Sequence, residues 1–79
     1  NGLEPIRSMT SNAFKADIEG AESDMLTKKH ICERDWVLYK NKAISKEEYE
    51  ISKTAYELAL ARLKRLKYEL SSAKTDLSY

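Results

Sequence analysis

The sequence predicts an all-α fold, an antiparallel two-helix coiled-coil hairpin, and three features carry that prediction. The composition is nearly free of turn residues: the 79 residues hold only two glycines and one proline. Two long stretches repeat apolar side chains at steps of three and four, the signature of a buried helical stripe. A single short break lies between them and carries the chemistry of helix ends. With 34% charged and 42% hydrophobic residues, the chain is too apolar for a disordered tail and too poor in turn residues for an all-β domain. Its length is also below the usual size of a self-sufficient domain, so stability calls for neighbours.

Residues 1–12, NGLEPIRSMTSN, hold the lone proline and show no helical period. They read as a flexible lead-in or a cloning remnant, with Met9 as a possible original start. The first helix is expected over 13–40, where Phe14, Ile18, Ala21, Met25, Cys32, Trp36 and Tyr39 follow steps of three and four or their sum. Lys28 interrupts the stripe, and Gly20 costs about 1 kcal/mol relative to alanine, a soft point inside the helix.

A turn is expected at 41–45. Lys40 and Lys42 complement the negative end of the first helix, and Asn41 tolerates a left-handed conformation there. Ser45-Lys46-Glu47-Glu48 fits a capping box, in which the Ser45 hydroxyl accepts from the Glu48 N–H and the Glu48 carboxylate accepts from the Ser45 N–H. Ile44 before the cap and Tyr49 at the fourth helical position form the pair of a hydrophobic staple.

The second helix is expected over 46–77, with Tyr49, Ser52, Tyr56, Ala59, Leu63, Leu66, Leu70, Ala73 and Leu77 stepping 3-4-3-4 without a slip. Each predicted helix is then roughly 45 Å long at ~1.5 Å per residue. Two such rods joined by a short break lie antiparallel. A two-helix hairpin has one seam and no third wall, so self-association or a larger parent protein is expected. Ile31 and Leu38 off the first stripe, with Leu58 and Leu60 off the second, are candidate contacts for such a second face.

Several function classes find no support. Fourteen basic against thirteen acidic residues give a net charge of +1, which argues no field for nucleic acid, an anionic membrane or an acidic substrate. One cysteine, Cys32, excludes an internal disulfide framework. No apolar run reaches the ~18 to 20 residues of a membrane span, and the start lacks signal-peptide architecture. His30 and Cys32 are two residues apart on a helix, about 200° around its axis, and cannot share a metal ion within it. The same geometry denies them a nucleophile–base role, and a single histidine supplies no Ser/His/Asp set. Glu47 and Glu48 are explained by the positive end of the second helix. In Arg62-Leu63-Lys64-Arg65-Leu66-Lys67 the leucines belong to the seam, which leaves an ordinary solvated face and no nucleic-acid patch. Neither an enzyme nor a cofactor is expected.

The sequence around the break nevertheless resembles one family. AISKEEYE, AYELALARLKRLKYELSSAK and TDLSY are similar to the phrases that follow the hairpin turn in periplasmic adaptor proteins, the membrane fusion proteins of the AcrA/MacA/HlyD-like class. The similarity spans roughly residues 17–79. Its most specific part is a tip signature of an arginine, a leucine four later and a serine seven beyond, matched by Arg34, Leu38 and Ser45. Asp35 and Trp36 follow the arginine where the family would carry residues such as tyrosine and glutamine.

The resemblance implies that this trio engages the helical ends of a TolC-like outer-membrane channel, with Arg34 donating hydrogen bonds, Leu38 as apolar contact and Ser45 meeting the channel at the turn. It implies a ring of six hairpins in the periplasm and an inner-membrane anchor in the parent protein. It also implies an inner-membrane transporter as partner through lipoyl-like, β-barrel and membrane-proximal domains that these residues do not include. Trp36 and Tyr39 would brace the two helices or line the hairpin-to-hairpin contact. The rival reading is a generic coiled-coil interaction module with no channel partner.

Overall fold

The structure, a computed structural model, describes the backbone of residues 4–77 and the side chains of residues 12–73. It contains two helices, α1 (Glu4–Lys40) and α2 (Lys46–Leu77), and no strand among the described residues. They lie antiparallel as a rod with extents of 62 × 16 × 12 Å, and the all-α hairpin predicted from the sequence is the fold.

The start of α1 departs from expectation. The helix begins at Glu4 rather than at Ala13, so most of the segment expected to be a flexible lead-in is helical. Pro5 falls in the first turn, where a missing N–H breaks no intrahelical bond and the fixed φ suits the helix. Thr10, Ser11 and Asn12 are weak helix formers but not breakers, and a helix already nucleated propagates through them at small cost. Residues 1–3, and with them the opening of the expected lead-in, lie outside the described residues, as do Ser78 and Tyr79 of the closing phrase.

Cross-helix pairs fix one antiparallel register. Glu22 and Lys67 form an ion pair at 3.5 Å, Asp35 and Ser52 share a hydrogen bond, and the rings of Tyr39 and Tyr49 stack at 5.6 Å. The core lies in the middle of the rod, where Ala21, Leu63 and Leu66 are buried and Ile18 and Met25 pack against them. Ala59 is buried as well. Full burial of a leucine is worth about 1.5–3 kcal/mol relative to exposure, so these positions dominate the stability of the pairing.

On α2 the seam is the one predicted: Tyr49, Ser52, Tyr56, Ala59, Leu63, Leu66, Leu70 and Ala73 are all buried or half-buried, while the side chain of Leu77 lies outside the described residues. On α1 the seam runs Phe14, Ile18, Ala21, Met25, Lys28, Cys32, Asp35 and Tyr39, all buried or half-buried. This is an unbroken 3-4 repeat in which a lysine and an aspartate occupy seam positions.

Two corrections follow. Lys28 belongs to the seam instead of interrupting it. Its aliphatic stem suits an apolar groove while its ammonium reaches out to Asp24 at 3.3 Å. Trp36, expected in the stripe, lies beside it and is 44% exposed, because Asp35 takes the position one residue earlier. Among the described residues no third layer covers the rod: Ile31, Leu38 and Leu60 are half-buried, and Ile51 and Leu58 are largely exposed.

Candidate docking tip

The closed end of the hairpin is built from local hydrogen bonding that the sequence largely specifies. At the end of α1 the Asn41 N–H still donates to the Val37 carbonyl at 3.1 Å, in helical register. The Lys42 N–H then donates to Tyr39 at 3.0 Å, and the Ala43 N–H to Leu38 at 2.8 Å. This nested pair is a Schellman motif, which satisfies carbonyls that the helix end would otherwise leave unpaired. The motif needs one left-handed residue, and Lys42 supplies it at φ 60°. The left-handed role expected of Asn41 therefore falls one residue later. Asn41 still makes a helical hydrogen bond, and the reversal comes only after it.

At the start of α2 the Ser45 hydroxyl accepts from the Glu48 N–H at 3.0 Å, the predicted N-cap. The return half of the capping box is not made: the hydrogen bonds of the described residues include none from the Ser45 N–H to the Glu48 carboxylate, so Glu48 acts through the helix dipole alone. Ile44 and Tyr49, the expected staple, are both half-buried.

Above the seam three aromatic rings meet. Tyr39 and Tyr49 lie nearly parallel, with an interplanar angle of 5°. Trp36 tilts against Tyr49 at 5.3 Å and against Tyr39 at 6.1 Å, and the Lys40 ammonium sits 5.3 Å from the Trp36 ring centroid. Trp36 and Tyr39 thus brace the two helices through Tyr49. Aromatic pairs of this kind add about 0.5–1.5 kcal/mol each beyond area burial.

Below the rings lies a polar layer that sequence reasoning missed. The Ser52 hydroxyl of α2 donates to Asp35 Oδ2. Arg34 donates to Asp35 Oδ1 through Nε at 3.2 Å and Nη2 at 3.1 Å. Asp35 is 8% exposed. The Ser52 hydrogen bond holds its carboxyl below the usual carboxylate range, against the opposing effect of burial and with further help from the Arg34 hydrogen bonds and charge. The signal for this layer was present: the 3-4 repeat of α1, continued through Lys28 without regard to polarity, lands on Asp35.

The three tip residues stand as follows. Arg34 has a side chain 67% exposed, and Leu38, one turn later on the same face of α1, is half-buried. Ser45 is exposed at the turn. Arg34 and Leu38 are thus brought together, whereas Ser45 sits at the apex in its capping role. Among the described residues no group of three His, Cys, Asp or Glu side chains is placed to hold a metal ion. No described helix is long and apolar enough to cross a membrane. Compared with known proteins, the chain matches no family model, no curated protein and no solved structure.

Proposed function

We propose that the chain is the helical hairpin of a periplasmic adaptor protein, whose closed end docks onto a TolC-like outer-membrane channel in a tripartite efflux or type I secretion system. One observation supports this reading above the others. Close to a tight turn closed by a Schellman motif and a serine N-cap, α1 carries a largely exposed guanidinium and a leucine on one face, with the exposed N-cap serine at the apex.

Such a tip is suited to the ends of partner helices. A guanidinium offers several donors in a fixed plane to carbonyl or carboxylate oxygens, and Leu38 supplies apolar contact beside it. The Ser45 hydroxyl, already accepting from Glu48, has its own proton to donate. The mechanism is geometric. Rigid rods 62 Å long, six to a ring, would form a tube whose tips mesh with the channel's helices and hold it open. The rest of the parent protein would anchor the ring at the inner membrane and join it to the transporter.

Arg34→Asp in the full-length protein is expected to abolish export while the far-ultraviolet circular dichroism of the hairpin stays helical. Because that change also removes a partner of Asp35, Leu38→Ser serves as the second variant, with the ion pair intact and the same loss expected. Export at the wild-type level in both variants would overturn the docking reading and leave a coiled-coil interaction module without a channel partner.

A further inference from the structure

We infer that Asp35 and Ser52 are positioning residues for Arg34, a relay running from α2 through the seam that sets the guanidinium only when the hairpin is closed. The inference rests on the reading of Arg34 as a docking residue. Three observations carry it.

The first is where Asp35 lies. It occupies a seam position of α1 and is 8% exposed, at a place where an apolar residue would pack without a desolvation cost. Packing alone gives no reason for a carboxylate there. The second is how its two oxygens are used. Oδ2 accepts from the Ser52 hydroxyl of the opposite helix, which fixes the carboxylate plane. Oδ1 accepts from both Nε and Nη2 of Arg34. Neighbouring residues on a helix diverge by about 100°, so Arg34 reaches Asp35 only by folding its side chain back toward the seam, and two donors on one oxygen hold it in that posture.

The third is what remains free. The Arg34 side chain is 67% exposed, and the Nη1 hydrogens with one Nη2 hydrogen are left for a partner. An exposed arginine on a bare helix samples many rotamers and loses that freedom on binding, whereas a tethered one has lost it beforehand. Ser52 is seventeen positions from Asp35 in sequence and reaches it only across the reversal at the turn. A chain straightened through that turn would release the carboxylate and the arginine together.

The test follows the Arg34 Nε–H resonance by nuclear magnetic resonance in the 79-residue chain and the affinity of the full-length protein for the TolC-like channel of the organism that encodes it, purified in detergent. Ser52→Ala is expected to speed hydrogen exchange at Arg34 Nε by about 5- to 10-fold and to weaken channel binding by a similar factor, the loss of one hydrogen bond. Ser52→Thr, which restores a hydroxyl, is expected to recover both, and circular dichroism controls for folding. An Nε–H signal unchanged by Ser52→Ala would overturn the relay while leaving Arg34 as a docking residue. So would faster exchange with undiminished affinity, provided that Arg34→Ala itself weakens binding. If Arg34→Ala leaves affinity unchanged, the docking reading falls and the positioning role falls with it.

Discussion

Lys42 holds the left-handed position of the turn at φ 60°, where an L-residue with a side chain is strained by about 1–2 kcal/mol and glycine is not. Glycine would give back part of that gain, about 0.4–1 kcal/mol, through the entropy of the unfolded chain. It would also remove a cation from the end of α1, worth a few tenths of a kcal/mol at an exposed site. Lys42→Gly is therefore expected to stabilise the hairpin by about 0.5 kcal/mol, read as a Tm rise of a few degrees; a lower Tm would show that the Lys42 side chain does more at the turn than carry charge. Asp35 supplies the second residue-scale prediction. Its carboxyl is held below the usual range in the folded state by Ser52 and then Arg34. Its stabilising share is thus complete above the ordinary carboxylate value and lost as pH falls through the folded value, in the window below about pH 4. Thermal melts between pH 5 and pH 2 should show a shallower acid-side fall in Tm for Asp35→Asn than for the wild type, and equal slopes would deny that the carboxylate's partners act on it.

At the scale of the elements, α2 was legible because its seam is nearly all apolar or aromatic and the repeat never slips. The turn was legible because Ser45 and the lysines are helix-end chemistry, although which residue turns left-handed is decided by where the last helical hydrogen bond falls, and composition does not fix that. The seam of α1 was half legible. Reading only apolar residues leads from Cys32 to Trp36, whereas the packing continues from Cys32 to Asp35 because a carboxylate with partners on both sides tolerates burial. The tip trio was named from the resemblance to the adaptor signature, whereas the pairing of Asp35 with Ser52 was not foreseen: the repeat places each on its own seam, but a polar pair seventeen positions apart leaves no local pattern that joins them. Gly20 gives this scale its prediction. A Cβ built there meets nothing within 4 Å, so Gly20→Ala gains helix propensity at no steric cost. The expected stabilisation is about 0.8–1 kcal/mol by chemical denaturation with an unchanged m-value; a smaller midpoint shift would mean that α1 frays at this position and forms too little helix to gain from the change.

The whole molecule is a rod with its stability concentrated in one stretch. The buried apolar residues Ala21, Ala59, Leu63 and Leu66 lie on one side of the polar layer of Asp35 and Ser52, and the aromatic stack lies on the other, next to the turn. A short turn keeps the closed end together at little entropic cost, and among the described residues the buried contacts thin out away from the core on the side far from the turn. Amide hydrogen exchange on the dilute chain is therefore expected to be slowest over residues 18–25 and 59–66, intermediate around the aromatic stack, and fastest toward residues 12 and 73. Ile51, Leu58 and Tyr68 are 70%, 67% and 73% exposed, so the outer faces of α2 gain protection only if something covers them. Repeating the measurement at rising concentration separates the two sources of order. If hairpins pack side by side, as the proposed ring requires, slow exchange should spread to residues 51–58 without moving the core maximum. Protection that stays fixed at every concentration would mean that these residues do not bring two copies together, and would count against the proposed ring of hairpins.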